Sequence, residues 1–179
     1  MKRTYLIVGV LAAAAAAAVA IVAVATASGG PNDLAAARAA TAKFQVFSAA
    51  AADQRGELKD LAGIACIDAP GLGAMGIHWV RGSIVGDGAI SATDPEAVIY
   101  EPQGNGRMRL VALEYVVFQA DWDKNHGSPP SLFGQTFNFT PSPNRFGLPP
   151  FYSLHAWLWK SNPSGMFAPW NPNVSCANA

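Results

Sequence analysis

From Phe151 to Lys160 the chain alternates two kinds of side chain. Read at the strand period of two, Tyr152, Leu154, Ala156 and Leu158 make a plain apolar face. Phe151, Ser153, His155, Trp157 and Trp159 make the other. A histidine in a row of large aromatics is costly to bury unless its ring nitrogens find partners. The second face therefore reads as the wall of a pocket, with Ser153, Trp157 and Trp159 as ligand contacts around His155. Three further apolar runs read as strands: Ile77–Arg81, Ala97–Glu101 and Met108–Phe118, the last rich in Val, Leu, Tyr and Phe. Gly104-Asn105-Gly106 predicts a hairpin between the second and third. A brief strand-like piece lies at Thr136–Phe139.

Upstream the period changes. Pro31-Asn32-Asp33 is a helix start with Asn32 or Asp33 as cap. Ala40, Phe44, Phe47 and Ala51 fall on one stripe at helical spacing. Residues 33–62 thus predict one or two helices, with a possible last turn from Glu57 to Leu61 before the stop at Gly63. A helix or helix pair followed by antiparallel strands is an α+β pattern: helices packed on a curved sheet or small barrel. The segment Asn162–Asn173, with three prolines, reads as an ordered loop.

The N-terminus changes the picture of composition. Half of the 179 residues are hydrophobic and 13% are charged, but no charge occurs from Thr4 to Asn32. A basic Met1-Lys2-Arg3 head, an alanine-rich core and Ala25-Thr26-Ala27 have the layout of a secretory signal peptide over residues 1–27. An uncleaved membrane anchor is the competing reading, and it alone would give this chain a membrane partner. The remainder, 28–179, reads as a single exported domain, placing it in the cell envelope or medium. Cleavage leaves ten basic and twelve acidic side chains, a net charge of −2. That balance argues against nucleic acid as partner. No Asp or Glu follows Asp123. A stretch so poor in charge, yet holding Trp157, Trp159 and Trp170, reads as buried or pocket-lining.

Cys66 and Cys176 are the two cysteines. In an exported protein one pair forms one disulfide, here closing a loop of about 110 residues, worth about 4–5 kcal/mol in the chain-entropy account. No CxxC or Cys-His cluster supports a reactive or ligating thiol.

Several familiar chemistries are excluded. Gly71-Leu-Gly-Ala-Met-Gly76 spells GxGxxG, but Pro70 precedes it and a strand follows, so no helix N-terminus meets a pyrophosphate. The motif reads as a close-packed turn. P-loop, nucleophile-elbow and HExxH motifs are lacking. His126 with Asp121 and Asp123 reads as a solvated turn, since no EF-hand spacing follows.

The stronger candidates are ionisable groups on apolar strands. Glu114 shares the alternation of Leu110, Ala112, Val116 and Phe118. Glu101 follows Val98-Ile-Tyr100, His78 lies between Ile77 and Trp79, and His155 lies in the aromatic strand. Two His and two Glu on four strands suit a divalent transition metal such as Mn, Fe or Zn. The ligand types are those of cupin metal sites, though the cupin HxH motif is missing. A carboxylate pair acting on a sugar is a second chemistry. The structural alternative makes each His a satisfied core residue and pairs Glu101 or Glu114 with Arg81, Arg107 or Arg109.

The runs Cys66–His78, Asp94–Glu101, Leu110–Tyr115 and Leu154–Cys176 resemble an uncharacterised family of exported bacterial proteins. The resemblance covers roughly Ala36 to Cys176. It implies export and a single domain, and lends no residue a catalytic role. The expected function is an exported domain binding a small-molecule ligand or metal in an aromatic-lined His/Glu pocket. The alternatives are a metal-dependent enzyme using His78, Glu101, Glu114 and His155, and a structural protein without a site. Either site reading requires His78 and His155 to face one cavity.

Overall fold

The computed structural model describes residues 31–179, so the predicted leader lies outside them. Helix α1 spans Pro31–Thr41. Proline suits a first helical turn, where its missing N–H costs nothing, and Asp33 in that turn meets the positive end of the helix dipole. Asn32 and Asp33 are thus inside the helix rather than its cap. A 3₁₀ turn, Ala42–Gln45, and helix α2, Ser48–Ala52, follow. The tighter turn rotates the buried stripe to Ala37, Thr41, Phe44 and Ala50, whereas Ala40 and Ala51 are exposed. The turn expected from Glu57 to Leu61 is not helical. Gly56–Glu57 is instead a short strand, β1.

The remaining strands are β2 (Cys66–Ala69), β3 (Gly73–Val80), β4 (Ala97–Gln103), β5 (Arg107–Phe118), β6 (Ser131–Leu132), β7 (Gln135–Thr136), β8 (Asn138–Thr140) and β9 (Phe151–Ala156). Two short helices intervene, α3 (Gly82–Val85) after β3 and α4 (Gln119–Asp123) after β5. Seven strands form one antiparallel sheet in the order β1-β3-β4-β5-β9-β8, with β2 also paired to β3. The sheet is open and does not close into a barrel. The hairpin expected at Gly104–Gly106 joins β4 to β5, with Asn105 and Gly106 both at positive φ.

The helices and the sheet share a core of Phe44, Val98, Tyr100, Leu113, Tyr115, Val117, Tyr152 and Leu154. Two buried phenols in it are satisfied. Tyr100 donates to the Phe44 carbonyl and Tyr115 to the Ala92 carbonyl, each at 2.7 Å. The other face of the sheet carries Val80, Val116, Phe118 and Phe151, packed under Val85, Phe146 and Leu148.

One irregularity decides which residues reach that second face. Ile99 opposes Ala112 and Tyr100 opposes Leu110, so Val111 is an extra residue in β5. The bulge sends Leu110 to the helix-covered core, away from Glu114. The alternation expected from sequence therefore holds for Ala112, Glu114, Val116 and Phe118 but fails at Leu110.

The C-terminal segment is an ordered loop, bound back at several points. Asn171 bridges Ala74, the Trp157 amide donates to the Met166 carbonyl, and Cys66–Cys176 closes as a disulfide. Gly73 and Gly76 explain the GxGxxG spelling. A Cβ on Gly73 would stand 2.2 Å from the Asn171 carbonyl oxygen, and one on Gly76 2.6 Å from that of Tyr100. Both also have positive φ, so glycine serves close packing there.

Candidate functional site

Three strands bring three ligand-type side chains to one place. In the sheet register Val80, Ala97, Glu114 and His155 form a single row across β3, β4, β5 and β9. His78 lies one step along, opposite Ile99. Between His78 and Glu114 the intervening strand offers only the Ala97 methyl on that row, which leaves room for an imidazole and a carboxyl to meet across β4. His78 Nε2 lies 3.4 Å from one Glu114 oxygen, and His155 Nδ1 lies 3.6 Å from the other. The two imidazole rings are edge to face at 5.9 Å. One ligand atom from each of the three residues falls within 4.8 Å of the others.

These separations are long for hydrogen bonds. They suit the edges of a coordination polyhedron, because ligands about 2.1 Å from a tetrahedral ion stand roughly 3.4 Å apart. Among the described residues this is the group that could hold a metal ion. Both histidines are 2% exposed and Glu114 is 9% exposed.

Burial sets the protonation states. It pulls His78 down to about 4, with nearby Glu114 opposing the shift and His155 and Arg145 reinforcing it. It pulls His155 down to about 4 as well. Glu114 is raised by burial, against the pull of His78 and of the Ser153 hydroxyl. Both imidazoles are therefore neutral at neutral pH, the form that ligates metals. Their outer nitrogens, His78 Nδ1 and His155 Nε2, are buried without a hydrogen-bond partner. Ring packing takes the orienting role, with His155 stacked 6.0 Å from Trp157.

The group opens onto a cavity of about 790 Å³. His78, Glu114, Ser153 and His155 lie on one side, and Val80, Val116, Phe118 and Phe151 extend the same wall. The loop after β8 contributes Phe146 and Leu148, and the C-terminal loop contributes Trp170. Asn144 shapes the first of these by accepting the Phe146 and Leu148 amides at 3.1 and 3.3 Å. Arg145 ties it to Asp60 at 2.7 Å.

The remaining predicted site residues go elsewhere. Glu101 does not join the histidines. Lys160 Nζ holds both its oxygens at 2.7 Å, and the Ser175 amide donates to it at 3.1 Å. Its partner is thus Lys160 rather than Arg81, Arg107 or Arg109. Ser153 lines the cavity, whereas Trp157 and Trp159 do not. Strand β9 ends at Ala156, so the alternation lapses. Trp157 packs behind His155 and donates to the Ala168 carbonyl at 2.7 Å, while Trp159 turns toward Arg38. His126 is exposed and stacked on Trp122.

Phe146 and Leu148 were not expected at the site, and Trp170 reads from sequence only as part of a buried or pocket-lining stretch. They come from segments without strand periodicity, and their poverty of charge was the one signal available.

No family model, curated protein or solved structure matches this chain.

Proposed function

We propose that this is an exported domain that binds a divalent transition metal through His78, Glu114 and His155 and presents it to a small, largely apolar ligand. The observation that carries the reading is the convergence of two neutral histidines and one carboxylate at the wall of a ligand-sized cavity. Three protein ligands leave coordination positions open, unlike the closed sets of structural zinc sites. The donor set suits Mn, Fe or Zn. The walls offer aromatic and aliphatic contacts, with Ser153 as a hydroxyl beside Glu114. The outer histidine nitrogens lack the carboxylate or carbonyl that usually orients a ligating imidazole. Affinity is accordingly expected roughly 10–100-fold below that of a fully supported site.

Export is supported by the Cys66–Cys176 disulfide, which belongs to oxidising surroundings. Among the described residues no helix is long and apolar enough to cross a membrane.

The open positions facing a cavity also favour a second reading, a metal-dependent enzyme. In it the ion would polarise a ligand or activate a bound water. Ser153 would position the ligand and the apolar walls would exclude bulk water.

The deciding experiment is elemental analysis of the purified protein after supplementation with Mn, Fe or Zn, repeated on His155→Ala. About one ion per chain, lost in the variant, is the expected result. No retained metal under any supplementation removes the proposal. Turnover of a candidate substrate by the loaded protein, absent from His155→Ala, separates the enzyme from the binding domain.

A further inference from the structure

A second site is marked by where the unpaired cations lie. The described residues hold ten Lys and Arg. Seven of them, Lys43, Arg55, Lys59, Arg81, Lys124, Arg145 and Lys160, are paired with carboxylates. The three without such a partner are Arg38, Arg107 and Arg109, and all three line one groove of about 520 Å³. It lies between the N-terminal helical segment and the β4–β5 hairpin, and shares no lining residue with the His78 cavity.

Every other polar group of the groove can donate. Gln45 and Gln103 bring amides, and Trp159 brings an indole N–H that is buried without a partner. No Asp or Glu lines the groove. Glu101 stands opposite Arg109 in the sheet register, but its carboxylate is committed to Lys160 and the Ser175 amide. Arg38 lies with its guanidinium 4.2 Å from the centre of the Trp159 ring and donates to the Leu158 carbonyl, so one wall is already fixed in place.

We propose that this groove binds a phosphate-bearing anion. Three arginines without carboxylate partners that line one groove, on a domain whose described residues are net acidic, favour an acceptor-only partner of matching charge. Arginine forks fit phosphate oxygens two at a time. A single carboxylate would leave two of the three charges uncompensated, whereas a pyrophosphate or a cluster of phosphate headgroups engages all three. The phosphate can be that of a soluble molecule or of a lipid headgroup. This site is independent of the metal reading.

Titration calorimetry of the purified protein with inorganic pyrophosphate at low ionic strength tests it. Binding is expected to weaken roughly tenfold or more in Arg109→Ala and to vanish in Arg107→Ala/Arg109→Ala. Both arginines are exposed and free of ion pairs, so the double variant should melt like the parent protein. Arg107→Lys/Arg109→Lys should fall between, since charge is kept and the fork is lost. His155→Ala should bind pyrophosphate unchanged. Co-sedimentation with phosphatidylglycerol vesicles distinguishes the source. Arginine-dependent pelleting without pyrophosphate binding assigns the phosphate to a lipid. The proposal is overturned if neither probe binds, if the double alanine variant binds either as the parent does, or if His155→Ala abolishes binding.

Discussion

Glu96 and Glu114 are both buried carboxyls that lack a lysine or arginine partner, and their surroundings give them opposite uses. Glu96 is 2% exposed and accepts the Val116 amide at 2.9 Å, yet burial pushes it up to about 8. In the unfolded chain its pKa is that of an ordinary glutamate, near 4.5. A carboxyl raised on folding contributes stability that is intact below the unfolded value and is lost as pH rises through the folded one. Stability should therefore decline between about pH 4.5 and about pH 8, by on the order of a few kcal/mol. Glu96→Gln keeps an acceptor for Val116 and removes the titration. Urea midpoints at pH 5 and pH 8 should move closer together in this variant than in the parent. An unchanged gap would assign the pH dependence elsewhere.

Glu114 is raised as well, but it faces two neutral imidazoles. Metal uptake requires its ionised form, which burial disfavours. Affinity is thus expected to fall as pH is lowered, with proton release on binding wherever the carboxyl is still protonated. Calorimetry in two buffers of different ionisation enthalpy measures that release. Glu114→Gln should bind metal weakly and without the proton.

At the scale of elements, the sheet register makes the site. Ala97 stands between Val80 and Glu114, where a larger side chain would fill the space in which His78 and Glu114 meet. Ala97→Leu is expected to cost about 1–3 kcal/mol by overpacking and to abolish metal retention. A folded Ala97→Leu protein that still carries one ion per chain would contradict this account of the geometry. Gly76→Ala should be more damaging than Gly104→Ala. The first would drive a Cβ against the Tyr100 carbonyl at positive φ, and the second meets open space. Thermal melts should separate them clearly.

Periodicity also explains what could be read beforehand. His78, Glu114 and His155 were legible because each interrupts an apolar alternation on a regular stretch of strand. Glu101 carried the same signal but lies beyond the bulge, where Lys160 from a distant loop takes it. Leu110 was misplaced for the related reason that a one-residue bulge leaves no mark in composition. Trp157 and Trp159 leave the cavity wall because the strand stops at Ala156, which nothing in their residue types announces. Strand β2 escaped notice because four residues ending at Asp68-Ala69 are too short for a pattern.

For the whole molecule, the cavity is a composite of the sheet, the loop after β8 and the C-terminal loop. The last is held by the Ala74–Asn171 bridge, the Glu101–Ser175 contact and the Cys66–Cys176 bond. Cys66→Ala/Cys176→Ala should lose about 4–5 kcal/mol. It should also loosen the wall bearing Trp170, which weakens binding of apolar ligands more than binding of the metal. Fluorescence titration with an apolar dye beside metal analysis would show the split.

The same bond sets an order of events. While the thiols are reduced, the segment bearing Trp170 keeps only its noncovalent ties, so the pocket is expected to tighten on oxidation. For a chain that folds after leaving the cytosol, the ions present at that moment are those of the outer compartment. Selection among Mn, Fe and Zn would then be made by timing and supply more than by the three ligands, whose chemistry admits all of them.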